Sequence, residues 1–353
     1  MENNELAPVI SHRSESTMSI ILNRPNALNS LNVEMIDMIT GYLEGAFADK
    51  KCRVILFYGS GSKGFCAGGD VKELAQKGKE KAYDEVSAFF KKEYALDLMI
   101  HNSPKPIIVI ADGITMGGGL GIAAGASIVI ATERTRMGMP ETKIGFFPDV
   151  GATGWMFTKC PKGYPEYLGL IGYDMSGIEC VRLGFATHFT NSKNIPKLIK
   201  TLEKYDSEKT SDKELSQSII GEISRFINFN IPTNQDMDEW VATYFSGKSD
   251  LNDILISLTK CGLQQKLCDG VFASIAERSP TALVLTLKLL RHNEGRPLPE
   301  IFAADFKAAM FLTSHHDYIE GIRARLIDRD DKPQWIPDKI DQVDLTNFKN
   351  AVN

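Results

Sequence analysis

Long uncharged apolar runs are missing from this sequence. None approaches the ~18 residues of a membrane-crossing helix, so no membrane span is expected. Cysteine is scarce and unpatterned: the six (Cys52, Cys66, Cys160, Cys180, Cys261 and Cys268) form no Cys-x-x-Cys pair and no metal-ligand spacing. That argues against zinc or another metal and makes reduced thiols the simplest reading. Basic charge is not in excess either. Forty Lys+Arg against 45 Asp+Glu leave a net charge of -5, which speaks against nucleic acid or an anionic membrane as partner but permits a small anion-binding pocket. The stretch Met1–Leu6 lacks the basic and apolar regions of a signal peptide and the arginines of a transit peptide. A cytoplasmic protein is expected, or one of the mitochondrial matrix if the chain is a trimmed mature form.

What is present is a chain of 353 residues, 43% of them hydrophobic, long enough for a large core with an appendage or a second domain. Met18–Leu22 reads as a strand ending at the turn formers Asn23-Arg24-Pro25-Asn26. Met35, Ile36, Ile39, Leu43 and Phe47 then recur at helical spacing behind Asn32 as cap, and Arg53–Tyr58 is a buried strand. Strand, helix and strand in this order make a βαβ unit of a parallel sheet. Residues 72–100 read as helical, with Phe89, Phe90, Tyr94, Leu98 and Met99 as the buried stripe and Glu93 lying within it. From about Lys193 the composition turns polar, and 206–213 is the most linker-like segment. Beyond it the pattern is helical throughout, which divides the chain into an α/β part, 1–200, and a helical region, 201–353, that packs on the first part or on a neighbour.

Two glycine-rich turns follow strands. One is Gly59–Gly69, within which Phe65-Cys66-Ala67-Gly68-Gly69-Asp70-Val71 begins; the other is Gly113–Gly121, with three adjacent glycines, Gly117-Gly118-Gly119. Such turns expose backbone N–H groups to a negative charge, or permit a close approach. A third loop, Met139–Gly151, holds Glu141 and Asp149 between prolines and glycines, eight positions apart (149 − 141). A dinucleotide site is a poor reading, because the third glycine is missing at its spacing and Glu133 lies only 16 residues after Gly117 (133 − 117). Cys66 as a nucleophile is another, but no histidine motif supplies its base and a buried thiol explains it. An oxyanion hole with one N–H from each glycine turn, served by the acids of the third loop, suits enolate or acyl chemistry.

These stretches resemble the paired oxyanion signature of the crotonase (enoyl-CoA hydratase/isomerase) superfamily. Asn23–Leu31, Met139–Thr142, Phe147–Gly151 and Glu320–Ala324 with Leu326-Ile327-Asp328 are similar to one branch, the 3-hydroxyisobutyryl-CoA hydrolases. The resemblance implies a ββα spiral core with a helical C-terminal region and hydrolysis of 3-hydroxyisobutyryl-CoA, and of 3-hydroxypropionyl-CoA, in valine breakdown. It implies oxyanion donors at Gly69 and Gly118, catalytic carboxylates at Glu141 and Asp149, and a substrate-contacting acid at Glu93. Ala27, Leu28, Ala67, Gly69 and Val71 would line the coenzyme A path. Coenzyme A is part of the substrate, no cofactor is required, and relatives of this kind form trimers or hexamers. A hydratase would carry a second glutamate where this chain has Gly121, so the hydratase/isomerase alternative lacks half its acid/base pair. A non-catalytic structural subunit is the remaining alternative, opposed by intact Gly69, Gly118, Glu141 and Asp149.

Overall fold

The computed structural model describes residues 7–206, 210–262, 264–344 and 346. Met1–Leu6, and Ser207–Lys209 of the linker-like segment, lie outside the described residues. Eleven strands occur among those described: β1 Val9–Ser14, β2 Thr17–Leu22, β3 Val54–Gly59, β4 Gly64–Cys66, β5 Ile107–Ala111, β6 Ile114–Met116, β7 Ile128–Ala131, β8 Arg136–Gly138, β9 Met175–Ser176, β10 His188–Thr190 and β11 Ile227–Asn228. Seven form one sheet in the order β1-β2-β3-β5-β7-β10-β11, and four form a second in the order β4-β6-β8-β9.

The large sheet is parallel from β2 through β10, with Ile55 opposite Ile107 and Ile108 opposite Ile128, and antiparallel at its two outer pairs. The expected βαβ unit is its centre. Asn32 caps the helix Val33–Ala48, its side chain accepting the Met35 N–H at 2.9 Å. Every residue of β5 and β7 is buried, as strands covered on both faces require. On one face Val54, Leu56, Ile108, Ile110, Ile128 and Ile130 pack against two helices. Helix Ile195–Glu203 contributes Leu198 and Leu202, and helix Leu215–Ile223 contributes Leu215, Ile219 and Ile223, both at helical i, i+4 spacing. Each such side chain is worth about 1.5–3 kcal/mol of burial.

Beyond Gln235 the described chain is almost wholly helical, so the fold is α/β with a helical C-terminal region, as expected. The helix expected over 72–100 is two, Val71–Lys79 and Tyr83–His101, separated where Lys81 turns left-handed. Contacts group the chain into two compact units, each built from three stretches. The first is 1–69, 95–137 and 175–233; the second is 70–94, 138–174 and 234–353. The division read from composition near residue 200 separates strands from helices, which is a different partition from this one.

The expectation of six reduced thiols is corrected at one pair: Cys261 and Cys268, with Cα atoms 6.5 Å apart, form a disulfide. Cys261 follows helix Leu251–Leu258 and Cys268 lies in the first turn of helix Gln265–Ala276, so a short connection returns one sulfur to the other. The other four remain thiols.

Candidate active site

In the first unit the two glycine turns touch. Gly68 has φ +99°, and a Cβ there would stand 3.2 Å from the Met116 carbonyl and 3.4 Å from the Gly118 nitrogen. Gly117 has φ +49°, a geometry that favours glycine, and it starts the helix Gly118–Gly125. Gly118 is the first residue of that helix, so its N–H has no intrahelical acceptor. Gly69 pairs with Leu31 in a parallel bridge whose bond runs from the Leu31 N–H to the Gly68 carbonyl, which turns the Gly69 amide to the opposite side. Neither the Gly69 nor the Gly118 N–H donates to another of the described residues. Gly119 has a packing reason instead: a Cβ would collide with the Cys66 carbonyl. Cys66 is buried there, its Sγ 3.9 Å from the Gly68 carbonyl, in keeping with the packing role read for it.

The turn carrying Ala27 and Leu28 joins the same group, because the Ala67 N–H donates to the Leu28 carbonyl at 3.0 Å. Asn29 fixes that turn from its left-handed position, φ 57°: its amide donates to the carbonyls of Ser60 and Gly64 at 3.1 and 3.0 Å. A cleft of about 180 Å³ opens between them, rimmed by Leu28, Gly61 and Lys63. Val71, the remaining expected coenzyme A contact, belongs to the second unit.

The second unit holds the three acids Glu93, Glu141 and Asp149, all buried. Glu141 begins the 3-10 turn Glu141–Ile144. Gly145 and Gly321 let that turn lie directly on helix His316–Ile322: added Cβ atoms would collide with the Asp317 carbonyl and with the Ile144 backbone respectively. Asp317 in turn accepts from the Ser279 hydroxyl and from the Ile336 N–H. The late glycine motif thus supports the Glu141 turn from behind. Glu141 Oε2 is buried with no hydrogen-bond partner among the described residues.

Asp149 lies three residues before helix Ala152–Lys159, and its Oδ2 accepts the Tyr94 hydroxyl at 2.8 Å. The turn between is strained: Val150, a β-branched residue, has φ 50°, and Gly151 φ 77°. Such a conformation costs about 1–3 kcal/mol and persists where surroundings dictate it. Aromatic rings enclose the acids. Phe146 stacks on Phe90 at 5.8 Å and meets Tyr318 at 5.4 Å, and Tyr94 meets Phe302 at 5.6 Å.

This apolar enclosure sets the protonation. Burial, and then the Asp149 charge, push Glu141 well above the usual carboxylate range. Burial pushes Asp149 up to about 7, against the pull of the Tyr94 hydrogen bond. The start of helix Ala152–Lys159 lies three residues beyond Asp149, and its dipole favours the ionised form, but desolvation outweighs it. Both acids are thus held toward their protonated forms by the same apolar surroundings, and the charge of Asp149 adds to the effect on Glu141. The sequence places Tyr94 in a buried stripe without revealing its bond to Asp149, and nothing in it singles out Tyr318. Among the described residues no cluster of three or more His, Cys, Asp or Glu is placed to hold a metal.

The family model described as enoyl-CoA hydratase/isomerase matches residues 17–352. The chain belongs to this family. Similar members include a mitochondrial 3-hydroxyisobutyryl-CoA hydrolase of Gallus gallus, 34% identical over 341 residues, covering 96% of this chain and 86% of the relative. The enzyme of that name from Danio rerio is 35% identical over 319 residues, covering 90% and 82%. Among solved structures, a carnitinyl-CoA dehydratase from Mycobacterium thermoresistibile superposes with TM-score 0.87 at 27% identity, covering 98% of this chain and 96% of that one. Membership of the enoyl-CoA hydratase/isomerase family accounts for the crotonase-like sheets and glycine turns. Gly121, where the resemblance puts the second glutamate of a hydratase, is buried within helix Gly118–Gly125.

Proposed function

We propose that this family member hydrolyses 3-hydroxyisobutyryl-CoA, and the related 3-hydroxypropionyl-CoA, to coenzyme A and the free hydroxy acid, the reaction of valine breakdown. The observation that carries the reading is the acid inventory: two carboxylates, Glu141 and Asp149, are buried and held above the usual carboxylate range, while the glycine helix offers Gly121 in place of a hydratase glutamate. Relatives named for this hydrolysis match nearly the whole chain.

In this reading the Gly69 and Gly118 N–H groups receive the thioester oxygen as it gains charge, and losing one would cost roughly 3 kcal/mol of transition-state stabilisation. Glu141 either attacks the carbonyl carbon or takes a proton from a water that does. In the first route the carbonyl–sulfur bond breaks as coenzyme A leaves, and water then hydrolyses the anhydride. Asp149, held by Tyr94, and Glu93 orient the acyl hydroxyl. Ala27, Leu28, Ala67, Gly69 and Val71 line the coenzyme A path, with Lys63 suited to its phosphates. No cofactor is needed for these steps. A homo-oligomer, trimer or hexamer, and the compartment in the relatives' names, the mitochondrion, belong to the same reading.

The test is turnover. Glu141→Gln and Asp149→Asn, folded by circular dichroism, are expected to lose hydrolysis of 3-hydroxyisobutyryl-CoA by at least a hundredfold. Parent-like rates in both would overturn the assignment, and faster hydration of crotonyl-CoA by the parent would replace it with the hydratase reading.

A further inference from the structure

Helix Leu298–Thr313 carries a carboxyl that no step above uses. Asp305 is fully buried, and its Oδ2 accepts the Gly151 N–H at 2.8 Å while its Oδ1 accepts the Thr153 hydroxyl at 3.3 Å. Thr153 is itself fixed, its oxygen accepting the Asn293 amide at 2.8 Å. The bond to Gly151 falls on the strained turn that follows Asp149. The other carbonyls of that turn are held as well, Val150 by the Trp155 indole N–H at 3.1 Å and Asp149 by the Ala152 N–H at 2.9 Å. Both of those donors lie on the helix the turn leads into; Asp305 alone, of the three, fixes the turn from another helix.

We propose that Asp305 is a positioning residue: by pinning Gly151 it holds the left-handed turn Val150–Gly151, aims the Asp149 carboxylate, and so sets the preference for acyl groups bearing a 3-hydroxyl. This rests on the functional reading above, in which Asp149 receives that hydroxyl. A neutral side chain would serve equally to cap a helix start. A carboxyl here is costly, because burial and the neighbouring Asp149 both raise its protonation range. What positions the turn is the pair of acceptor oxygens, which reach Gly151 and Thr153 on either side of the helix start just after Asp149.

The experiment measures kcat/KM for 3-hydroxyisobutyryl-CoA and for isobutyryl-CoA in the parent, Asp305→Ala, Asp305→Asn and Thr153→Val. In Asp305→Ala the hydroxylated substrate is expected to lose tenfold or more, and isobutyryl-CoA less than twofold, so that the ratio collapses. Asp305→Asn, which keeps an oxygen for the Gly151 N–H, is expected to keep the ratio within threefold. In an Asp149→Asn background, Asp305→Ala should change the ratio no further. Equal losses on both substrates, or additive losses in the double variant, overturn the proposal. If Asp305→Ala does not fold, Thr153→Val decides: a lowered ratio supports it and an unchanged one overturns it. A parent that cleaves both thioesters alike overturns the functional reading and this assignment together. A parent that prefers the hydroxylated one, with unchanged ratios in the variants, overturns the assignment alone.

Discussion

Replacing Tyr94 with Phe removes one oxygen atom and the only hydroxyl bonded to the Asp149 carboxylate among the described hydrogen bonds. The ring still packs against Phe90 and Phe302, so the perturbation is confined to the hydrogen bond. A buried hydrogen bond to an ionised acceptor is worth about 1.5–3 kcal/mol. At 1.36 kcal/mol per pKa unit, that is roughly one to two units. Asp149, which burial holds at about 7, would rise to roughly 8–9 without its donor. Half ionised at pH 7 in the parent, it would be about one-tenth to one-hundredth ionised in Tyr94→Phe, so the rate there falls roughly 5- to 50-fold. The assay is kcat/KM for 3-hydroxyisobutyryl-CoA from pH 5 to 10. The acid limb of the profile should move up by one to two units while the plateau above it recovers most of the parent rate. A limb that stays where the parent has it, or a loss equal at every pH, would refute this account of the Asp149 environment.

Stability should respond to the same group with a definite sign. The folded pKa of Asp149 lies above its unfolded value, so the native state binds the extra proton, and stability falls as pH rises from about 4 to about 7. The contribution approaches 4 kcal/mol, and thermal melts of Asp149→Asn should show a flatter dependence over that window than the parent. Gly118→Pro deletes the N–H at a helix position that tolerates proline; kcat is expected to fall about 10²–10³-fold in protein that still melts cooperatively. Reduction of the Cys261–Cys268 disulfide should add two hydrogens by intact mass and, for so short a loop, cost about 2.5 kcal/mol, read as a lowered denaturant midpoint.

How much of this was legible in the sequence depended on the range of the interaction concerned. Asn32 and the apolar spacing behind it announce a helix through bonds three and four residues long, and that helix is where it was read. The three-residue strands β4, β6 and β8 were not visible: each is too short to show alternation and exists because distant partners supply its bonds, Gly113 for Arg136 at 23 positions (136 − 113) and Ile114 for Gly64 at 50 (114 − 64). At the site, Gly69, Gly118, Glu141 and Asp149 stood out because glycine clusters and proline-bounded acids are unusual in themselves. Glu93 lies within an apolar stripe of the sequence and is marked as a site residue only by the family resemblance; it is buried. Asp305 and Tyr318 carry no local mark, since one sits at an ordinary helical position and the other reads as core. Their relation to Asp149 spans more than 150 residues, and for Asp305 it runs through the bond to Gly151.

The interleaving of the two units puts a clock on the second of them. Its first stretch ends at Tyr94, yet Asp305 and Tyr318, which enclose the same acids, are synthesised more than 200 residues later. At about 5–20 residues per second, that interval is roughly 10 to 45 s of translation. Throughout it Glu93, and then Glu141 and Asp149, lack part of the enclosure that buries them in the complete chain. The first unit, whose last stretch ends at Thr233, has all its strands by then. A ribosome paused before residue 300 would therefore carry both glycine turns of the first unit together with acids whose enclosure is still unmade.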